Sequence, residues 1–195
     1  MLPAPLILAS TSRYRAELLS RLRLRFETVA PRVDETPHDG ELPDVLARRL
    51  ALAKAREVAR RSGHGLVIGS DQVAHCEGRL LGKPGGHAAA AQQLRLMRGR
   101  TSHFDTALAL VNAATGNEQT TLVGTTVKMR DLSDDEIDAY LHADKPYDCA
   151  GSAKSEGLGI ALMERIEGDD PTALIGLPLI ELCRMLRNEG VNLFP

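Results

Sequence analysis

The chain divides into short apolar runs and longer stretches with helical spacing of apolar positions. Leu6-Ile-Leu-Ala has the length of a buried strand. It breaks into Ser10-Thr-Ser12 and then Arg13-Tyr-Arg15, where a helix over Ala16 to about Leu24 is predicted. Residues 31–43 are the loosest part, with prolines at 31, 37 and 43. A helix is predicted from Pro43 to Arg61, a buried strand over Gly65–Val73 and a helix over Ala88–Met97. Two strands follow near 102–112 and 119–129, joined by a hairpin turn at Ala114-Thr-Gly-Asn117. Ser133-Asp-Asp-Glu136 has the spacing of a capping box and opens a helix to about His142. A glycine-rich region at 151–159 precedes another apolar run. The last helix spans Pro178 to Asn188 and is stopped by Gly190. Strands alternating with helices, plus one hairpin, predict an α/β fold with a mixed sheet flanked by helices.

The length of 195 residues suits one domain or two closely joined lobes with a substantial core. A formal net charge of −2 gives no global field to draw in nucleic acid. Arg13, Arg15, Arg21, Arg23 and Arg25 are partly balanced by Glu17 and Glu27, so a nucleic-acid partner is not expected. No apolar run approaches a membrane span, and no basic region followed by a long apolar stretch opens the chain. Neither a membrane association nor a secretory leader is expected. Three widely spaced cysteines, Cys76, Cys149 and Cys183, read as reduced thiols, which suits a cytoplasmic protein. The six histidines show no zinc-type spacing.

Several segments carry candidate chemistry. A helix N-terminus beside Ser10, Ser12 and Arg15 suits a multiply charged anion, most simply a phosphate chain, or is an ordinary N-cap with a solvated basic face. Gly69-Ser-Asp71-Gln72 presents a carboxylate and an amide at a strand end, where ligands sit in α/β sheets. An aspartate there activates water, holds a metal ion or simply closes a turn. Gly82-Lys83-Pro84 places a lysine on stiff backbone, able to meet a phosphate or to decorate a surface loop.

Lys54 falls in the apolar stripe of its helix, with Ala47, Leu50, Ala51 and Val58. A lysine there must snorkel or find an anionic partner. Asp34 and Glu35 lie in the loose loop, either solvated or, with Asp71, supplying oxygen ligands to Mg²⁺. Lys154 and Glu156 place a base and an acid in the glycine-rich loop, where the Glu156 carboxylate matches a nucleobase edge with adjacent N–H donors, as in guanine.

In this order, Leu8-Ala-Ser10-Thr-Ser12 with Arg15, Val33-Asp-Glu35, Lys54, Gly69-Ser-Asp71-Gln72, Gly82-Lys83-Pro84 and Glu156-Gly-Leu-Gly159 with Asp170–Pro178 resemble the Maf family of nucleoside triphosphate pyrophosphatases. The resemblance covers essentially the whole chain. It implies a single Maf-like domain over 1–195, with the inosine-triphosphate-pyrophosphatase-like (Maf/Ham) architecture and a cleft between two lobes. It also implies a homodimer and a divalent metal cofactor, Mg²⁺ or Mn²⁺.

On this resemblance Ser10, Ser12, Arg15, Lys54 and Lys83 bind the triphosphate, Asp71 is the catalytic base and Glu35 with Asp71 holds the metal. Base and metal roles are interchangeable between Glu35 and Asp71 at this stage. Tyr14, Gln72 and Glu156 set specificity. Tyr14 stands where the dTTP/UTP branch has arginine, and Glu156 where that branch has glutamine, which points to the 7-methyl-GTP branch. A cationic 7-methylguanine ring on an aromatic face gains about 0.5–2 kcal/mol. An arginine there would repel it. The rival expectations are a pyrophosphatase for dTTP/UTP or another non-standard nucleotide, and a non-catalytic nucleotide-binding regulator of septum formation. The chain departs from the family pattern at Arg13, where proline is usual, and at Ala16, where a second arginine is frequent.

Overall fold

The computed structural model describes residues 4–194. The elements in chain order are β1 (Leu6–Leu8), α1 (Arg13–Ser20), β2 (Phe26–Thr28), α2 (Pro43–Ser62), β3 (Leu66–Cys76), β4 (Arg79–Leu81), α3 (His87–Met97), β5 (Thr101–Asn112), β6 (Glu118–Met129), α4 (Asp134–Asp144), β7 (Met163–Gly168) and α5 (Leu179–Asn188). Short 3-10 helices lie at Ala150–Ser152 and Leu158–Leu162. The class is the predicted one, a mixed sheet flanked by helices. The chain forms two compact units. The first holds the residues up to Asp71, Thr106–Val123 and those from Asp170 on; the second holds Gln72–Asp105 and Gly124–Asp169.

In the first unit the strand order is β2-β1-β3-β5-β6. β1 runs parallel to both neighbours, with Leu6 opposite Phe26 and Leu66, and Leu8 opposite Thr28 and Ile68. Alternation along the strands divides the core. Leu6, Leu8, Leu66, Ile68, Leu108 and Leu110 pack with Leu18 and Leu19 of α1 and with Leu182, Met185 and Leu186 of α5. The opposite face receives α2, and Gly69 of β3 meets the α2 backbone there. In the second unit β4 pairs antiparallel with β3, and β7 antiparallel with β6.

Local chemistry accounts for most boundaries. Ser12 caps α1 by accepting from the Arg15 N–H at 3.4 Å, so the helix starts at Arg13 rather than Ala16. It ends early because Arg23 adopts φ +55°. Ser133 and Glu136 form the reciprocal capping box at the start of α4. At the β5–β6 turn the Asn112 side chain accepts from Ala114 and Thr115 N–H groups.

Candidate active site

The alternation of β3 explains how two adjacent residues serve different surfaces. Ser70 shares the face of Leu66 and Ile68, and its hydroxyl lies 2.8 Å from the Ala107 carbonyl and 2.9 Å from that of Gly176. Asp71 shares the face of Gly69, towards α2. There Lys54, on the buried stripe of α2, places its ammonium 2.6 Å from Asp71 Oδ1 and 2.9 Å from Glu35 Oε1. Lys54 is 5% exposed and Asp71 8%. The Glu35 side chain is 57% exposed. The lysine in an apolar stripe thus has the anionic partners its position demands.

Glu35 comes from the irregular segment between β2 and α2, and α2 itself holds that segment. Arg49 grips Glu41 with two contacts, Nε–Oε1 at 2.6 Å and Nη2–Oε2 at 2.8 Å, and also donates to the Thr36 carbonyl at 3.0 Å. The Arg49 hydrogen bonds hold the Glu41 carboxyl down from its ordinary 4.5 to about 2. A depressed carboxyl pKa stabilises the fold above the ordinary value, and that contribution is lost as pH falls through the depressed one. We expect Arg49→Met to lose this share of the acid limb, so its Tm should diverge most from the parent above about pH 4.5 and converge towards about pH 2. Parallel Tm curves over that window would exclude the pair as a pH-dependent contributor.

The loop after β1 completes this unit's polar surface. Ser10 is buried, and its Oγ accepts from the Ser12 N–H at 3.1 Å. Arg15 turns inward and donates from Nε to the Gly176 carbonyl at 2.9 Å. Burial pushes its guanidinium pKa down, while the charges of Asp71 and Glu35 pull it back up. Arg15 therefore senses both carboxylates. Arg13 lays its guanidinium over the Tyr14 ring, 4.7 Å from the centroid, and donates to the Tyr14 hydroxyl at 2.7 Å.

Sequence reasoning gives Asp170, Thr172 and Gly176 no role of their own, although Asp170–Pro178 belongs to the family-like pattern. Asp170 is buried and accepts from the Thr172 N–H at 2.9 Å and the Ile180 N–H at 2.7 Å. It thereby caps α5 and shapes the loop whose Gly176 carbonyl receives Arg15 and Ser70. The only signal in the sequence is an Asp-Pro-Thr turn motif at 170–172, several residues ahead of the helix.

The second unit holds Gln72, Lys83 and Glu156. Gln72 is half-buried on β3, Lys83 is exposed between β4 and α3, and Glu156 is exposed in the turn between the two 3-10 helices. Ser155 Oγ lies 3.5 Å from Glu156 Oε2. The other ionic residue of this loop, Lys154, turns away to α4. Its Nζ donates to the Asp144 carbonyl at 2.7 Å, and its backbone N–H donates to the Tyr140 hydroxyl at 3.0 Å. Gly159 packs so closely on Lys154 that an added Cβ would lie 2.6 Å from the Lys154 carbonyl oxygen. The Glu156 loop is thus anchored on α4 on one side and tightly folded on itself.

The donor set suits a hard divalent cation. Two carboxylates, from Glu35 and Asp71, converge on one ammonium, and both are oxygen donors of the kind Mg²⁺ and Mn²⁺ prefer.

A family model described as Maf-like protein matches residues 5–189. A 7-methyl-GTP pyrophosphatase of Polaromonas sp. (strain JS666) is 61% identical over 190 residues, covering 97% of this chain and 87% of that protein. One of Cupriavidus pinatubonensis is 59% identical over 193 residues, covering 98% and 97%. Among solved structures, the Ham1 protein of Staphylococcus aureus is similar at 14% identity with a TM-score of 0.47, covering 65% of this chain and 72% of that one. The chain belongs to the Maf family.

Proposed function

We propose that this protein hydrolyses 7-methyl-GTP to 7-methyl-GMP and pyrophosphate. The single observation that carries the reaction is the buried Lys54 held between Asp71 and Glu35. It stands on a Maf-family chain whose relatives at 59–61% identity are named 7-methyl-GTP pyrophosphatases. In the proposed reaction Asp71 accepts a proton from water. The water oxygen forms a bond to the α-phosphorus, and the bond from that phosphorus to the α–β bridging oxygen breaks, releasing pyrophosphate. Lys54 orients the Asp71 carboxylate. An ammonium has three N–H groups, so Lys54 keeps one for a phosphate oxygen after meeting Glu35 and Asp71.

Ser10, Ser12, Arg15 and Lys83 are the other proposed contacts to the triphosphate. Their hydroxyls and cations screen a substrate of about four negative charges that would otherwise repel the attacking oxygen. Glu35 and Asp71 would hold Mg²⁺ or Mn²⁺. When bound, that ion neutralises phosphate charge and polarises the reacting phosphorus.

Base selection rests on Tyr14, Gln72 and Glu156. An aromatic face at Tyr14 suits the cationic 7-methylguanine ring, and Arg13, which lies over that ring, has to leave one face open to it. The Glu156 carboxylate takes the guanine ring N–H and exocyclic amine together. The enzyme is proposed to act in the cytoplasm as a homodimer.

Pyrophosphate release from 7-methyl-GTP, GTP, dTTP, UTP and ITP with Mg²⁺ tests the reading. Preference for 7-methyl-GTP is the expected result. Turnover of dTTP or UTP instead would discard the base assignment, and no turnover with either Mg²⁺ or Mn²⁺ would discard the reaction. Glu156→Gln is expected to lower kcat/KM for 7-methyl-GTP by about 10-fold or more relative to dTTP, since a lost charge-assisted hydrogen bond is worth about 1.5–3 kcal/mol. An unchanged ratio across the panel would remove Glu156 from base recognition.

A further inference from the structure

A second group of chemistry-bearing side chains lies wholly within the second unit and includes none of the residues of the proposed reaction. His87 opens α3, and Asp138 and His142 stand one turn apart on α4. One ligand atom from each lies within 4.8 Å of the other two. His87 Nε2 is 2.9 Å from Asp138 Oδ1, and His142 Nδ1 is 3.3 Å from Asp138 Oδ2.

The hydrogen bonds around the cluster favour particular ring tautomers. Tyr147 donates its hydroxyl hydrogen to the Leu141 carbonyl at 3.3 Å. Its oxygen can then only accept from His87 Nδ1, which lies 3.3 Å away. With the Tyr147 hydrogen directed at Leu141, a neutral His87 carries its proton on Nδ1 and turns its Nε2 lone pair on the Asp138 carboxylate. Two lone pairs facing each other at 2.9 Å require a proton or a cation between them. His142 differs. Its Nδ1 lies 2.9 Å from the Asp138 backbone carbonyl and 3.3 Å from Asp138 Oδ2, both acceptors, so in a neutral ring Nε2 keeps the lone pair and is the nitrogen left to meet an ion.

Two imidazoles held in one tautomer by carbonyl and hydroxyl partners, with a carboxylate between them, are the ligand set of a zinc-type ion. Zinc ligands sit about 2.0–2.2 Å from the metal, which places them about 3–3.5 Å from one another. The His87 Nε2–Asp138 Oδ1 pair, 2.9 Å apart, need open by only a few tenths of an ångström to admit an ion.

We propose that His87, Asp138 and His142 form a binding site for a borderline-soft divalent ion, Zn²⁺ above all, with water completing its coordination. The donor set separates it chemically from the all-oxygen Glu35–Asp71 pair, since imidazole selects Zn²⁺ over Mg²⁺. A bound ion would tie the start of α3 to the middle of α4. The Tyr147 backbone reinforces the same tie, because its carbonyl accepts from the Gly85 N–H at 2.9 Å. No sequence spacing announces the site, because His87 and Asp138 lie 51 positions apart.

Calorimetric titration of the full chain with ZnCl₂, in Mg²⁺ saturating enough to occupy hard-cation sites, tests the proposal. One equivalent of Zn²⁺ is expected to bind, with a rise in Tm. Both signals should disappear in His142→Ala and His87→Gln and persist in Glu35→Gln. Binding that survives in the histidine variants but is lost in Glu35→Gln would overturn the site. So would the absence of any zinc binding. Neither result depends on turnover, so failure here is distinguishable from failure of the pyrophosphatase reading.

Discussion

Replacing Asp71 with asparagine is expected to lower kcat for pyrophosphate release by about 10²–10⁴-fold, the usual worth of a positioned general base. The amide has nearly the same shape but cannot take the proton. Lys54 retains Glu35 as an anionic partner at 2.9 Å, so the buried ammonium is not stranded. The folded protein should therefore persist, with Tm within a few degrees of the parent. Single-turnover kinetics with saturating 7-methyl-GTP, alongside thermal denaturation, separate the two effects. A variant with near-normal kcat would transfer the base role to Glu35, and Glu35→Gln would then be the defective enzyme. A variant that unfolds would show instead that the Lys54–Asp71 pair is chiefly structural.

The second large effect concerns stability. Gly69→Ala should destabilise the protein by about 1–3 kcal/mol, the usual cost of forcing extra volume into a packed core. An added Cβ would lie 2.2 Å from the Ala51 carbonyl oxygen, 2.8 Å from the Ala55 nitrogen and 2.9 Å from its Cβ. The first two are backbone atoms, so no rotamer change relieves the overlap and α2 itself must move off the sheet. For a chain of this size the loss corresponds to a Tm drop of several degrees, at about 2–4 °C per kcal/mol. Lys54 travels with α2, so kcat should fall as well. Gly124→Ala, where an added Cβ meets nothing within 4 Å, is the matched control and should leave Tm unchanged. Equal Tm values for both variants would dismiss the close approach of α2 as a determinant.

Local patterns made much of this legible in the sequence. The apolar stripe of α2 placed Lys54 inward before any partner was known, and the structure supplies Asp71 and Glu35. Ser133 and Glu136 announced their helix start because a capping box is local. Three strands are not announced by the sequence, for one reason. β2, β4 and β7 are short and largely exposed, and the β7 run Met163-Glu-Arg-Ile-Glu-Gly reads as surface. Pairing with a neighbouring strand, which a sequence does not display, makes them strands. Glu35 was visible as a carboxylate, but its segment has no periodicity to aim it; Arg49 and Lys54 of α2 do so. The contribution of Asp170 was equally hidden, because it acts through the carbonyl of Gly176, six residues further on.

The way the chain weaves between its two units bears on how such genes can trade parts. Gln72 and Lys83 belong to one stretch of the second unit, Gln72–Asp105, and Glu156 to another, Gly124–Asp169. The turn between β5 and β6 interrupts them with residues of the first unit. A gene crossover that imported only the later stretch from a relative would bring a new residue at position 156 while leaving 72 and 83 ancestral. With Tyr14 also reading the base, a single crossover exchanges the whole set only if its junction falls ahead of residue 14; otherwise a double event or successive point changes are needed. Chimaeras built at a single junction should more often lose discrimination than acquire the donor's.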